Sequence, residues 1–157
     1  SGVAGAISPE LNIGDLIIAD GLCQHDLDIT AFGHPFGYVP EGEVCIPTDV
    51  SLRNIAKEVA KNKGLRLVEG IIATGDQFVA NPERKDWIGE TFKAHALEME
   101  GASVAVVCSS LDIPFFILRA ISDSADMDAS FNFDAFLESS AKISADFILS
   151  MVDTIDR

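Results

Sequence analysis

Positive charge is scarce in this sequence. Its 157 residues include 11 lysines and arginines against 25 aspartates and glutamates, which gives a formal net charge of −14 at pH 7. Nucleic acids and anionic membranes bind positive surfaces, so this imbalance argues against both as partners. Long apolar stretches are missing too, because no run approaches the roughly eighteen residues that a membrane-spanning helix needs.

Cysteine is also sparse, and motifs that hold metals or phosphates are absent. The three cysteines are widely spaced and form no Cys-x-x-Cys pair (Cys23, Cys45 and Cys108). This usage argues against a disulfide framework or a zinc site and fits a cytoplasmic protein. Residues 25–28 (His-Asp-Leu-Asp) have no matching ligands elsewhere, so we expect no metal. No Gly-x-Gly-x-x-Gly loop or P-loop lysine is present, and we expect no cofactor.

Apolar residues make up 48% of the chain, enough for the core of one domain over residues 1–157. Their spacing predicts alternating strands and helices. Strands are expected at 15–19, 65–73, 96–100 and 115–121. Helices are expected at 52–63, 82–92 and 101–111, the last of them buried, followed by a long closing helix with its N-cap at Ser130 or Asn132.

Two segments do not fit that alternation. Residues 21–47 are rich in Gly and Pro and are predicted to form a long irregular loop of functional character. Residues 1–3 are interpreted as the tail of a strand that has lost its first half. The order of predicted strands and helices along the chain predicts an α/β domain with a mixed, mostly parallel sheet flanked by helices.

Arg119 is the one cation inside the apolar run 115–121. Because a guanidinium stays charged, its burial requires a carboxylate or an anionic ligand. Glu98 and Glu100, two residues apart on a predicted strand, would face the same side and repel each other without a cation. Arg119 on a neighbouring strand would join them. The group is either a structural ion pair or a ligand site at the carboxyl ends of the strands.

Asp123 follows the same strand directly, with Ser122 beside it. An open α/β sheet places catalytic groups at such a strand end, although a helix cap or a turn also explains an aspartate there. Phe78 lies in the segment 74–78 (Thr-Gly-Asp-Gln-Phe), after another predicted strand. Its ring can stack on a flat ligand, and Gly75 allows a close backbone approach.

Several motifs, in order along essentially the whole chain, resemble the 5′-methylthioadenosine/S-adenosylhomocysteine nucleosidases. They are Val3-Ala4-Gly5, Asp15, the stretch HDLDITAFG at 25–33, Thr74-Gly75-Asp76-Gln77-Phe78, Glu98-Met99-Glu100-Gly101-Ala102 and Arg119-Ala120-Ile121-Ser122-Asp123. The resemblance implies the nucleoside phosphorylase-like α/β fold, a homodimer, and hydrolysis of the bond between adenine and a 5′-thio-substituted ribose, as in methionine salvage. The loop with Phe36 and Pro40 is most similar to bacterial members that also accept aminodeoxyfutalosine of menaquinone synthesis.

The resemblance assigns roles on the acid and sugar sides of the site. Asp123 matches the general acid, which protonates the imidazole nitrogen of the purine so that adenine leaves neutral, through an oxocarbenium-like transition state. Glu100 would bind the ribose hydroxyls, and Met99 would pack on the sugar face. Arg119 and Glu98 would hold the sugar and water side.

On the base side, the resemblance implies that Phe78 stacks on adenine and that the backbone of Val79 reads the base edge. Ser122 would bind substrate beside the acid, and Phe133 matches a lid aromatic. Three further residues match positions that reach into the partner subunit's pocket and line its thio-substituent end: Ile29, Phe32 and Pro40.

Two departures from the family pattern bear on activity. Val3 stands where many members carry a serine that helps to hold the attacking water. The family also has a further segment of strands and helices before this point, which supplies the glutamate that activates the water. We therefore expect residues 1–157 to form an incomplete sheet with the acid half of the site, and to show little or no hydrolysis alone.

Two other functions stay open at this point. A purine nucleoside phosphorylase of the same fold would need cations to hold phosphate, yet the basic residues other than Arg119 lie mostly on predicted helices or their flanks. A truncated, non-catalytic nucleoside-binding or dimerisation module would bind without turnover. The leading hypothesis is a nucleosidase acting on a small-molecule nucleoside.

Overall fold

The computed structural model describes residues 1–125 and 129–155, with the side chains of the last helix from residue 136 onward. Within these ranges the strands are β1 (Gly2–Ala6), β2 (Leu16–Gln24), β3 (Ile46–Pro47), β4 (Leu67–Thr74), β5 (Ala94–Glu98) and β6 (Leu118–Asp123). The helices are α1 (Val50–Lys63), α2 (Pro82–Phe92), α3 (Gly101–Ser110) and α4 (Ala129–Ile155). Across these described ranges no helix has the length and hydropathy to cross a membrane.

The six strands form one mixed sheet in the order β3-β2-β4-β5-β1-β6. Since β2 also pairs with β6, five strands close into a ring and β3 lies outside it. The pairs β2–β4, β4–β5 and β1–β6 are parallel, whereas β1–β5, β2–β3 and β2–β6 are antiparallel. The predicted α/β class, with a mixed sheet flanked by helices, is confirmed.

Helices cover both faces of the sheet. Alternate residues of β2 point to opposite sides, so Leu16 and Ile18 pack with Phe147 of α4, whereas Ile17 and Ala19 pack in a separate cluster with α3. A third apolar cluster lies under α2 and includes Ala125. These clusters hold β1, β5 and β6 between layers of apolar side chains, which gives polar groups on those strands a rigid frame.

Local signals predicted the middle helices well. The helix expected at 82–92 is α2, and the helix expected at 52–63 is α1. Gly64 ends α1 in the left-handed region (φ +65°), where glycine is the favoured residue. The strands expected at 65–73 and 96–100 correspond to β4 and β5, and β1 shows that the first residues are a strand.

Three strand predictions need correction. β5 ends at Glu98 and not at 100, so Glu100 lies beyond the strand, at the N-cap of α3. β2 continues to Gln24 because it pairs with β4 as far as Thr74, so the irregular loop begins at residue 25 and not at 21. β6 begins at Leu118 and not at 115, since its ladder with β1 starts opposite Gly2.

Two helix predictions also need correction. α3 is not wholly buried, because Val104 and Val107 are exposed on its outer face. α4 begins at Ala129, so Ser130 and Asn132 lie within its first turn and neither is the N-cap.

Asp49 caps α1, and its removal tests how much that cap contributes. The backbone at Asp49 is extended, and its Oδ1 accepts a hydrogen bond from the N–H of Leu52 at 2.8 Å. We expect Asp49→Ala to lower the free energy of unfolding by about 1 kcal/mol in urea titrations, because a helical N–H loses its acceptor. Asp49→Asn keeps an acceptor and should cost much less; equal losses would contradict the capping role.

Candidate active site

A cavity of about 380 Å³ opens along β1, between the end of β5 and β6. Residues of α4 and of the loop after β4 also line it, including Leu137 and Gln77. Eight of the residues predicted from the sequence meet there: Phe78, Val79, Glu98, Met99, Glu100, Arg119, Ser122 and Asp123.

An open parallel sheet is expected to place a ligand site at one edge of the sheet. The cavity here follows the face of one strand instead. The reason is that β1 runs parallel to β6 but antiparallel to β5. Arg119 therefore lies opposite Gly2, at the start of β1, while Asp123 lies opposite Gly5, towards its end. The site has two separate ends along β1.

At the first end, Arg119, Glu98 and Glu100 form what we call the Arg119 cluster. The guanidinium pairs with the Glu98 carboxylate, and its Nη2 lies 3.3 Å from Glu100 Oε2. The side chains of Arg119 and Glu98 are only 7% and 2% exposed, whereas that of Glu100 is 70% exposed. The buried ion pair expected from the sequence is present, and Glu100 presents the accessible carboxylate.

Arg119 and Glu98 are not on neighbouring strands, which corrects the sequence interpretation. β1 lies between β5 and β6 in the sheet. A Cβ added at Gly2 would collide with the Arg119 guanidinium. Glycine at this position therefore lets the arginine side chain cross β1 and reach the end of β5.

Glu98 is also held by the start of α3. Its two carboxylate oxygens accept hydrogen bonds from the N–H of Gly101 at 3.0 and 2.8 Å, and Oε1 accepts one from the Thr74 hydroxyl at 2.5 Å. The Thr74 oxygen in turn accepts from the N–H of Ala102 at 2.8 Å. A negative charge at a helix N-terminus is favourable. Glu98 is thus part of the scaffold and holds Arg119 in place.

At the second end, the Asp123 carboxyl is almost fully buried. Its Oδ2 accepts from the Ser122 hydroxyl at 2.9 Å, and its Oδ1 accepts from the N–H of Ala125 at 2.8 Å. A Cβ added at Gly5 would lie 2.7 Å from Oδ1, so glycine leaves room for the carboxyl. Burial and a fixed orientation suit a group that transfers a proton to a bound base.

The loop after β4 supplies an apolar wall. Phe78 lines the cavity and is half exposed, and Val79 is buried beside it. The loop is held from below, because the Asp26 carboxylate accepts from the N–H of Asp76 at 2.8 Å. Gly75 packs directly on the ring of His25, where a Cβ would collide. These contacts fix the loop that carries Phe78.

His25 lies buried beneath this loop and gives stability a pH dependence. Its pKa is lowered from the ordinary value, mainly by burial and then by the Arg84 guanidinium, whose Nη2 lies 3.2 Å from Nδ1. Because the folded pKa is below the unfolded one, the unfolded chain takes up the proton first as pH falls below about 6.5. We expect His25 to make stability fall over that window by up to about 1.4 kcal/mol per pH unit.

Urea unfolding at pH 7.5, 6.5 and 5.5 tests this expectation. His25→Asn should unfold with a shallower loss of stability towards acid pH than the parent protein. His34→Asn is the matched control, since His34 is exposed in the loop after β2. A His25→Asn variant with an unchanged pH slope would contradict the account.

Three predicted residues are not brought to this cavity, and a fourth lies outside the described side chains. Ile29, Phe32 and Pro40 lie in the loop after β2, away from the cavity lining, and Phe32 is 82% exposed. Their role at a partner subunit stays a prediction. Phe133 belongs to the start of α4, outside the residues whose side chains the structure describes.

Sequence reasoning missed several residues of the site. Thr74 belongs to a recognised motif, and its place between a strand and Gly75 was a usable signal. Leu137 follows Phe133 by one helical turn, so the helical spacing also pointed to it. The function of Gly2 and Gly5 depends on side chains from β6, and no local signal shows it.

Comparison with known proteins identifies the family. The sequence matches the phosphorylase superfamily over residues 1–153. An aminodeoxyfutalosine nucleosidase from Campylobacter jejuni is 57% identical over 99% of this chain and 68% of its own length. A 5′-methylthioadenosine/S-adenosylhomocysteine nucleosidase from Geobacillus sp. is 40% identical over 100% of this chain and 68% of its own.

A solved structure is similar in fold. The Helicobacter pylori 5′-methylthioadenosine/S-adenosylhomocysteine nucleosidase with butyl-thio-DADMe-Immucillin-A has a TM-score of 0.95 and 51% identity, over 98% of this chain and 66% of that one. The chain therefore spans about two thirds of the length of the relatives it matches.

Proposed function

The chain belongs to the phosphorylase superfamily and, within it, to the 5′-methylthioadenosine/S-adenosylhomocysteine and aminodeoxyfutalosine nucleosidases, and from this premise we propose that it hydrolyses the N-glycosidic bond of an adenine nucleoside. The observation that carries the proposal is the placement of Asp123 and the Arg119 cluster in one cavity. The first suits protonation of the base, and the second suits binding of the sugar.

Asp123 acts as the general acid in this proposal. An adenine anion is a poor leaving group, so the bond breaks more easily when a proton reaches the imidazole nitrogen of the base. The hydrogen bonds from Ser122 and Ala125 hold the carboxyl in one orientation for that transfer. Phe78 stacks on adenine, the backbone of Val79 binds its edge, and Phe133 covers the base as a lid.

The Arg119 cluster stabilises the sugar as it becomes positive. Two carboxylates and one guanidinium carry a net charge of −1, and a fixed negative charge favours an oxocarbenium-like sugar. The accessible Glu100 carboxylate accepts hydrogen bonds from ribose hydroxyls, and Met99 packs on the sugar face. Arg119 and Glu98 keep Glu100 in position.

Water, and not phosphate, is the nucleophile in this proposal. Among the described residues that line the cavity, Arg119 has the one cationic side chain, and two carboxylates already neutralise it. A phosphate ion needs cations that remain available to it. This charge balance disfavours phosphorolysis.

The proposed substrates are 5′-methylthioadenosine and S-adenosylhomocysteine, together with aminodeoxyfutalosine because a relative 57% identical carries that name. We also propose a cytoplasmic homodimer. The cysteine usage supports the location, and the exposed Phe32 in a loop of family-like sequence supports the dimer. In that dimer Ile29, Phe32 and Pro40 line the partner subunit's pocket.

Adenine release measured by chromatography tests the function. The protein expressed from its complete reading frame should bind an adenosine-like transition-state mimic in calorimetry and release adenine from 5′-methylthioadenosine. Tight binding without adenine release would replace the nucleosidase by a nucleoside-binding module. Light scattering should give the mass of a dimer, and a monomer would refute the assembly.

A further inference from the structure

The peptide group between Ser124 and Ala125 connects α2 to Asp123. Its N–H donates to Asp123 Oδ1 at 2.8 Å. The carbonyl oxygen of the same group accepts a hydrogen bond from the Lys85 ammonium at 3.2 Å. Because a peptide group is planar, fixing its carbonyl also fixes the direction of its N–H.

This peptide needs a restraint. Ala125 is buried and has a φ of +50°, in the left-handed region that residues with a Cβ adopt at a cost. A rotation of the peptide out of this conformation would turn the N–H away from Asp123. The Lys85 hydrogen bond opposes that rotation, and a charged donor on the carbonyl also strengthens the N–H as a donor.

Lys85 lies on a well-anchored helix. α2 begins at the cap Asn81, whose side chain accepts from the N–H of Arg84, and Arg84 itself donates to the His25 carbonyl at 3.1 Å. Ile88 of α2 shares an apolar cluster with Ala125. Lys85 is half-buried and is not part of the cavity lining. Its ammonium therefore acts from a fixed position behind the site.

We propose that Lys85 is a positioning residue for Asp123, which it orients through the Ser124–Ala125 peptide. This inference rests on the proposed function, in which Asp123 protonates the base. Lys85 does not line the cavity that would hold the substrate, so its removal should affect the proton transfer and leave the contacts to sugar and base intact. The loss appears in kcat, and KM stays nearly constant.

Lys85→Met keeps the apolar stem and removes the donor. In the protein expressed from its complete reading frame, we expect kcat for adenine release to fall about tenfold, part of the 10²–10⁴-fold that general acid catalysis typically contributes, with KM changed by less than about twofold. Lys85→Arg, which can still donate to the carbonyl, should recover most of the rate. Lys61→Met, on the exposed side of α1, is the matched control. Thermal unfolding shows whether each variant is folded. If Lys85→Met does not fold, Lys85→Ala takes its place.

A double-mutant cycle separates this inference from the proposed function. With Asp123→Asn already in place, Lys85→Met should cause little further loss, because the two residues act on the same step. An equal tenfold loss in both backgrounds overturns the positioning role. The positioning role is also overturned if Asp123→Asn is inactive while Lys85→Met keeps a kcat within twofold of that of the parent protein. Near-normal turnover by Asp123→Asn overturns the proposed acid itself.

Discussion

Asp123→Asn should lower kcat for adenine release by about a hundredfold or more and leave the affinity for nucleosides nearly unchanged. The amide keeps the size of the carboxyl, so the hydrogen bond from Ala125 to Oδ1 can persist. What is lost is a proton that the group can release to adenine, and general acid catalysis is typically worth 10²–10⁴ in rate. The measurement is kcat and KM with 5′-methylthioadenosine in the protein expressed from its complete reading frame, together with a calorimetric dissociation constant.

Asp112→Asn serves as the control, because Asp112 lies exposed in the turn after α3. Its kinetics should match those of the parent protein. If Asp123→Asn folds, binds substrate and turns it over at a rate within a few-fold of the parent, Asp123 is not the acid.

Arg119→Met should lower the free energy of unfolding by about 3–5 kcal/mol, the largest stability effect expected here. The methionine leaves the Glu98 carboxylate buried beside α3 without its cation, and an uncompensated buried charge is costly. Adenine release should also fall, since Glu100 loses a partner. Urea unfolding measures the first effect, and steady-state kinetics measure the second.

Arg66→Met offers a matched comparison. Arg66 pairs with Asp15 at the surface, where ion pairs usually contribute below about 1 kcal/mol. Adding Glu98→Gln to Arg119→Met should recover part of the lost stability, because a neutral amide replaces the stranded charge. A loss in Arg119→Met no larger than in Arg66→Met would show that the Arg119 cluster does not hold the site together.

Elements with local signals were predictable from the sequence. α2 begins at a proline, and α1 ends before Gly64, so both helices were placed with little error. β2 was cut short because residues 21–47 are rich in Gly and Pro, which is typical of a loop. Its continuation depends on pairing with β4, which is not encoded locally.

The candidate site also combines features that the sequence alone indicates with features that depend on the fold. The burial of Arg119 followed from its place in an apolar run, and its need for a carboxylate followed from its permanent charge. The ion pair with Glu98 is present. That the two meet across β1, in the space left by Gly2, required the order of strands. The contact between Lys85 and the Ser124 carbonyl joins residues 39 apart in the chain, and side-chain chemistry alone gives no sign of it.

The sugar formed alongside adenine tests the central claim most directly. The protein expressed from its complete reading frame is incubated with 5′-methylthioadenosine in phosphate buffer, and the products are identified by mass spectrometry. Hydrolysis predicts adenine with free 5-methylthioribose, at the same rate with and without phosphate. A sugar 1-phosphate, formed only when phosphate is present, would contradict the account and make the protein a phosphorylase.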